Sequence, residues 1–111
     1  GNRHMCLSGD KEHPHIVINS EPRVNRFRPS IDVLFASALN HSPKRIIAIM
    51  LTGMCADGVE SMIEMRGRGF LTIAQNEESS AIFGMNKEAI IRGGAGFIFS
   101  PDDIIEYLNG I

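Results

Sequence analysis

The residues best suited to chemistry lie together in Leu51-Thr52-Gly53-Met54-Cys55-Ala56-Asp57-Gly58, where a carboxylate and a thiol stand between glycines. They follow the most apolar run of the chain, Arg45 to Met50, and precede a helix-patterned stretch from Val59 to Arg66. A loop at the carboxyl end of a buried strand is where open α/β sheets carry their reactive groups. Gly53 and Gly58 let the backbone turn sharply, and Asp57 stands where a helix begins. Two readings of Asp57 stay open here: a carboxylate holding a partner side chain, or an ordinary helix N-cap.

Other groups are less pointed. Arg23, Arg26 and Arg28 sit with Pro22 and Pro29 in a polar segment, Asn19 to Pro29, that reads as an ordered surface loop. Guanidinium groups suit planar carboxylate or peptide acceptors beside a cleft, and equally serve as solvated surface charge. His4, His13 and His15 have no carboxylate or second histidine at a telling spacing, so each is expected at the surface or in a turn. The thiols Cys6 and Cys55 make neither a disulfide framework nor a zinc site, and no nucleotide fingerprint is present, so no cofactor or metal is expected.

The elements that position the loop follow from periodicity. Arg3 to Leu7 and His15 to Ile18 flank a Gly9-Asp10 turn and suggest an antiparallel hairpin. Ser30 is the expected N-cap of a helix with Asp32 in its first turn and Ile31, Leu34, Phe35, Ala38 and Leu39 on its core stripe, stopped by Asn40 to Lys44 with Pro43. Ile46 to Leu51 reads as a strand covered on both faces. Strand candidates Phe70 to Ala74 and Ala95 to Phe99 follow, alternating with helices from Val59, from Gly84 or Met85 to Ile91, and from Ser100-Pro101-Asp102-Asp103. The last helix is expected to bury Ile104, Ile105 and Leu108. Met50, Met54, Met62 and Met65 read mainly as packing residues. Such successive βα units predict an α/β fold with a parallel sheet and an N-terminal hairpin. The 111 residues form one unit, with hairpin and loop over 1–29 and helix and βα units over 30–111.

At 43% hydrophobic and 22% charged the composition is that of a globular protein, and a net charge of -2 argues against a nucleic-acid or anionic-membrane partner. No stretch suits a membrane span or secretory signal, and a cytoplasmic protein is expected.

Several motifs carry a resemblance. Thr52-Gly53-Met54-x-x-Asp57-Gly58, Glu64-Met65-Arg66, Thr72-Ile73-Ala74-Gln75-Asn76-Glu77 and Phe83-Gly84-Met85-x-Lys87-Glu88-Ala89 are similar, in order and spacing, to the catalytic domain of the chemotaxis protein-glutamate methylesterases. Val24-Asn25-Arg26-x-Arg28-Pro29-Ser30-x-Asp32-Val33-Leu34-Phe35 and Gly1-Asn2-Arg3-His4-Met5 extend the resemblance over nearly the whole chain. It implies a Ser-His-Asp hydrolase on a doubly wound, Rossmann-like three-layer α/β fold, with the sheet incomplete in this chain, that removes methyl groups from glutamate methyl esters on the cytoplasmic part of methyl-accepting chemotaxis receptors, and deamidates receptor glutamines in some members. The triad aspartate falls on Asp57, where it would orient a histidine and stabilise its imidazolium. Met54 falls at a backbone N–H suited to an oxyanion hole. Arg26 and Arg28 would line the receptor-facing cleft.

The departures are as informative. The family's nucleophilic serine turn and base histidine precede the matched region and have no counterpart here, nor does the usual receiver domain. A fragment or a degenerate relative is therefore expected, inactive alone, pairing with the missing amino-terminal half or with a second copy. The alternative is a non-catalytic receptor-binding module. Cys55 stands where glycine is common, which leaves a cysteine nucleophile as a third reading. Asn86 replaces a usual proline near a helix start, a change asparagine accommodates.

Overall fold

In the computed structural model, which describes residues 1–41 and 45–111, the chain forms β1 (His4–Ser8), β2 (His15–Asn19), α1 (Ile31–Asn40), β3 (Ile47–Met50), α2 (Val59–Gly67), β4 (Leu71–Gln75), α3 (Met85–Ile91), β5 (Phe97–Phe99) and α4 (Pro101–Asn109). The expected helix stop at Asn40 to Lys44 lies partly outside the described residues. β1 and β2 pair antiparallel, with Cys6 opposite Val17. The second sheet is parallel in the order β3-β4-β5, with Ile49 opposite Ile73 and Ile73 opposite Phe97.

The register assigns the layers, because side chains alternate across a strand. Met50, on one face, packs with Val59, Met62 and Ala89, so α2 and α3 cover that side and α1 closes over it through Ile31 and Phe35. Leu39, Ala48 and Met65 continue the core towards the amino end of β3. Phe97 and Phe99 lie on the opposite face, where the Tyr107 ring of α4 rests against both, at centroid distances of 5.5 and 5.6 Å. Helices on both faces make the sheet doubly wound.

Several elements differ from expectation in their detail. The third parallel strand begins at Phe97, because the Gly94 and Ala95 amides both turn back to the Ala89 carbonyl and close α3. In α4, Ser100 caps as expected, accepting the Asp103 amide at 3.1 Å. Ile104 of that helix is buried, but Ile105 is 58% exposed, since a helix on a three-residue edge strand has one narrow contact stripe. β3 is also less covered than expected: Ala48 and Met50 are buried, whereas Ile47 and Ile49 are half-buried on the α4 face. Met50, Met62 and Met65 are core residues, and Met54 is 71% exposed.

Candidate functional site

The β3–α2 loop, Leu51 to Gly58, carries Asp57 over the amino terminus of α1. Cys55 adopts φ 76° and Gly58 φ 91°. A Cβ on Gly58 would lie 2.5 Å from the Ile31 Cγ2, so glycine is needed there both for the backbone turn and for the approach of α1. The result is a 5%-exposed carboxylate with four donors. Its Oδ1 accepts from the Ser30 hydroxyl (2.7 Å), Asn25 Nδ2 (2.9 Å) and the Asp32 amide (3.4 Å). Its Oδ2 accepts the Ile31 amide at 2.5 Å, which leaves that oxygen a lone pair for one further donor.

Asp57 therefore does cap a helix, but not its own. The N-cap of α2 is Gly58, with no side-chain bond, and the amides that Asp57 satisfies belong to the first turn of α1. Asp32 returns the contact: its Oδ1 accepts the Ser61 amide in the first turn of α2 at 3.2 Å. The two amino termini are thus cross-capped. Ser30, expected to cap α1 through its hydroxyl, occupies the N-cap position but gives its proton to Asp57.

Asn25 joins the two carboxylates, donating to Asp32 Oδ2 at 2.6 Å as well as to Asp57. It can do so because Val24 and Phe27 exchange backbone hydrogen bonds around a turn in which Asn25 and Arg26 both have positive φ, 53° and 73°. That two-residue hairpin turns the Asn25 side-chain amide toward the two carboxylates and leaves Arg26 exposed at the tip.

Burial pushes the Asp57 carboxyl up, but the donors from Asn25, Ser30, Ile31 and Asp32 outweigh it and hold the pKa below the ordinary 3.8. A carboxylate so fixed stays ionised at neutral pH and is suited to orienting a histidine and to stabilising its positive charge. Beside it opens a cleft of about 430 Å³ lined by Asn25, Arg26, Phe27, Asp32, Cys55, Ala56, Asp57, Glu60 and Arg92.

The structure brings Arg26 to this cleft with Asp57. Arg28 lies elsewhere: its guanidinium donates to Asn2 Oδ1 and to the Ser20 and Glu21 carbonyls, clipping the loop to the start of the chain. Met54 stands on the neighbouring surface. The preceding residues are clamped to the end of β4, the β4–α3 loop and the start of α3 through Thr52 N to Gln75 Oε1, Gly53 N to the Ile82 carbonyl and Met85 N to the Gly53 carbonyl. Gly84 lets these loops cross, since a Cβ there would stand 2.4 Å from the Gly53 oxygen. His4, expected at the surface, is instead 1% exposed, between Pro22 and Ser30. Neither Asn25 nor Gln75 stands out as a site residue in the sequence; the Val24-Asn25-Arg26 motif holds the signal for the first, the strand-end position for the second. Among the described residues no His, Cys, Asp and Glu group is arranged to hold a metal ion.

The family model described as CheB methylesterase matches residues 1–108. Protein-glutamate methylesterase/protein-glutamine glutaminase 1 of Geobacter metallireducens is 47% identical over 94 residues, which are 85% of this chain and 26% of that protein. The Escherichia coli K12 protein-glutamate methylesterase/protein-glutamine glutaminase is also 47% identical over 94 residues, 85% of this chain and 27% of its own. The chain thus spans about a quarter of the length of these relatives. The crystal structure of the Thermotoga maritima CheB methylesterase catalytic domain superposes with a TM-score of 0.85 at 27% identity, covering 96% of this chain and 59% of that one.

Proposed function

Because the chain belongs to the CheB methylesterase family, we propose that it supplies the acidic member of a Ser-His-Asp hydrolase acting on glutamyl methyl esters of chemoreceptors. The observation that carries this reading is the Asp57 carboxylate, ionised, fixed by four donors and holding one lone pair in reserve beside an open cleft. In this reading a serine and a histidine from outside the 111 residues complete the triad. The histidine gives its Nδ1–H to Asp57 while its Nε2 takes the serine proton, and the serine oxygen attacks the ester carbonyl. Methanol leaves with a proton from the imidazolium, and water then releases the glutamate. A receptor glutamine would follow the same path with ammonia as leaving group. The Met54 amide is the proposed oxyanion donor, positioned by the clamped residues before it. Arg26, at the tip of its turn, is the proposed contact to receptor carboxylates or carbonyls, and Arg28 holds the loop behind it. The receptor's cytoplasmic part, the rest of the catalytic domain and a receiver domain are the partners this implies, in the cytoplasm and without a cofactor.

Methanol release from methylated receptor tests the proposal, with the chain combined with the preceding part of the E. coli catalytic domain. Activity is expected only in the combination, and Asp57→Asn should lower kcat by about 10⁴-fold. An Asp57→Asn combination as active as the unmodified one would refute it. Turnover by the chain alone, blocked by thiol reagents, would transfer the role to Cys55.

A further inference from the structure

Of the three histidines near the amino terminus, His4 alone is buried, and its two ring nitrogens are both engaged. Nε2 lies 2.9 Å from the Pro22 carbonyl, which can only accept, so Nε2 carries the proton. Nδ1 lies 3.2 Å from the Ser30 amide, which can only donate, so Nδ1 is the acceptor. The two partners thus fix which ring nitrogen donates and which accepts. Ser30 is the residue that hands its hydroxyl proton to Asp57 Oδ1 at 2.7 Å, and its carbonyl receives the Leu34 amide. With the amide on His4, the carbonyl in α1 and the hydroxyl on Asp57, Ser30 has no free rotation left. β1, which bears His4, is itself tied to α1 where the Leu7 amide donates to Ser37 Oγ at 2.8 Å.

We propose that His4 is a positioning residue for Asp57, acting through Ser30: its Nδ1 holds the Ser30 amide so that the Ser30 hydroxyl points at the carboxylate. This rests on the reading of Asp57 as the triad acid. The hairpin is then an anchor that reaches the reaction centre through one imidazole, rather than a surface ornament. Removing the Nδ1 acceptor frees Ser30, weakens one donor to Asp57 and lets the carboxylate turn away from the histidine it must orient.

Two isosteric variants separate this role from simple packing. His4→Asn keeps an acceptor where Nδ1 stands and loses the donor to Pro22, whereas His4→Gln keeps a donor where Nε2 stands and loses the acceptor for Ser30. The first readout needs no activity: the exchange rate of the Ser30 amide and the carbon-13 shift of the Asp57 carboxyl, both at pH 7 in the isolated chain. His4→Gln should speed exchange of the Ser30 amide and move the Asp57 carboxyl shift, and His4→Asn should leave both near those of the unmodified chain. In the combination with the E. coli segment, His4→Gln should lower kcat about tenfold with KM unchanged, the scale of one lost hydrogen bond, and His4→Asn should retain most of it. Equal behaviour of the two variants, or a Ser30 amide and an Asp57 carboxyl shift indifferent to both, overturns the proposal. If Asp57→Asn abolishes turnover while the His4 variants match, His4 alone is excluded; if Asp57→Asn stays active, the underlying reading fails first.

Discussion

Replacing Asp57 by alanine takes one acceptor from four donors at once, the Asn25 amide, the Ser30 hydroxyl and the Ile31 and Asp32 amides. Loss of a helix cap costs about 1 kcal/mol and each buried donor left unpaired about 1–3 kcal/mol, so Asp57→Ala should destabilise the chain by roughly 2–4 kcal/mol in urea unfolding. Asp57→Asn retains one acceptor oxygen and should cost less than half of that. A separation of the two effects, with Asp57→Asn folded yet inactive, distinguishes a catalytic carboxylate from a purely structural one. The stability is also tied to pH. The folded pKa lies below the ordinary 3.8, so the folded chain binds fewer protons than the unfolded one around that pH. The contribution is full above 3.8 and fades as pH falls through the folded value. The Tm difference between the unmodified chain and Asp57→Ala should therefore shrink on acidification, and a pH-independent difference would contradict the assignment. At this scale the sequence made the carboxylate legible, because glycines and a strand end frame it. It did not reveal the donors, since Asn25, Ser30, Ile31 and Asp32 are brought to it by tertiary contacts that no local spacing encodes.

Helices α1 and α2 depend on each other through their first turns. Asp57 serves α1 and Asp32 serves α2, with Asn25 bridging the carboxylates. The geometry requires Gly58 to keep φ 91° while Ile31 packs where a Cβ would be. Gly58→Ala should thus cost about 1–3 kcal/mol and loosen both helix ends together, visible as faster amide exchange at Ile31 and Ser61. Faster exchange at Ser61 alone would show that the cross-capping is not shared. For contrast, Ser100→Ala removes a cap that serves only α4, and its cost of about 1 kcal/mol should leave those amides protected. The contrast also explains what could be read in advance. Ser100-Pro101-Asp102-Asp103 is a self-contained start signal and appears as expected. Ser30 reads as the same signal, but a carboxylate from another loop takes the first α1 amides itself and draws the Ser30 hydroxyl onto it as a donor.

Across the whole molecule, the parallel order β3-β4-β5 leaves one edge of β3 without a strand partner among the described residues. On the α4 face next to that edge Ile47 and Ile49 are half-buried and Leu51 is 53% exposed, although runs of this kind belong to strands covered on both sides. The α/β pattern was legible from the spacing of apolar runs and caps, whereas the coverage of β3 was not, because periodicity registers that a strand should be buried and is silent on what buries it. An unpaired edge beside apolar side chains is a template for association. We therefore expect the isolated chain to self-associate, with a sedimentation coefficient that rises with concentration in the micromolar range. Addition of the preceding part of a family catalytic domain should suppress that rise if both compete for the β3 edge. A charge placed on this half-buried face, Ile49→Lys, should suppress self-association as well, and should also weaken recovery of esterase activity in the combination. Concentration-independent sedimentation of the unmodified chain would show the edge to be protected. Self-association unaffected by Ile49→Lys would place the contact elsewhere, with exposed Ile16 and Ile18 of the hairpin as the next surface to alter.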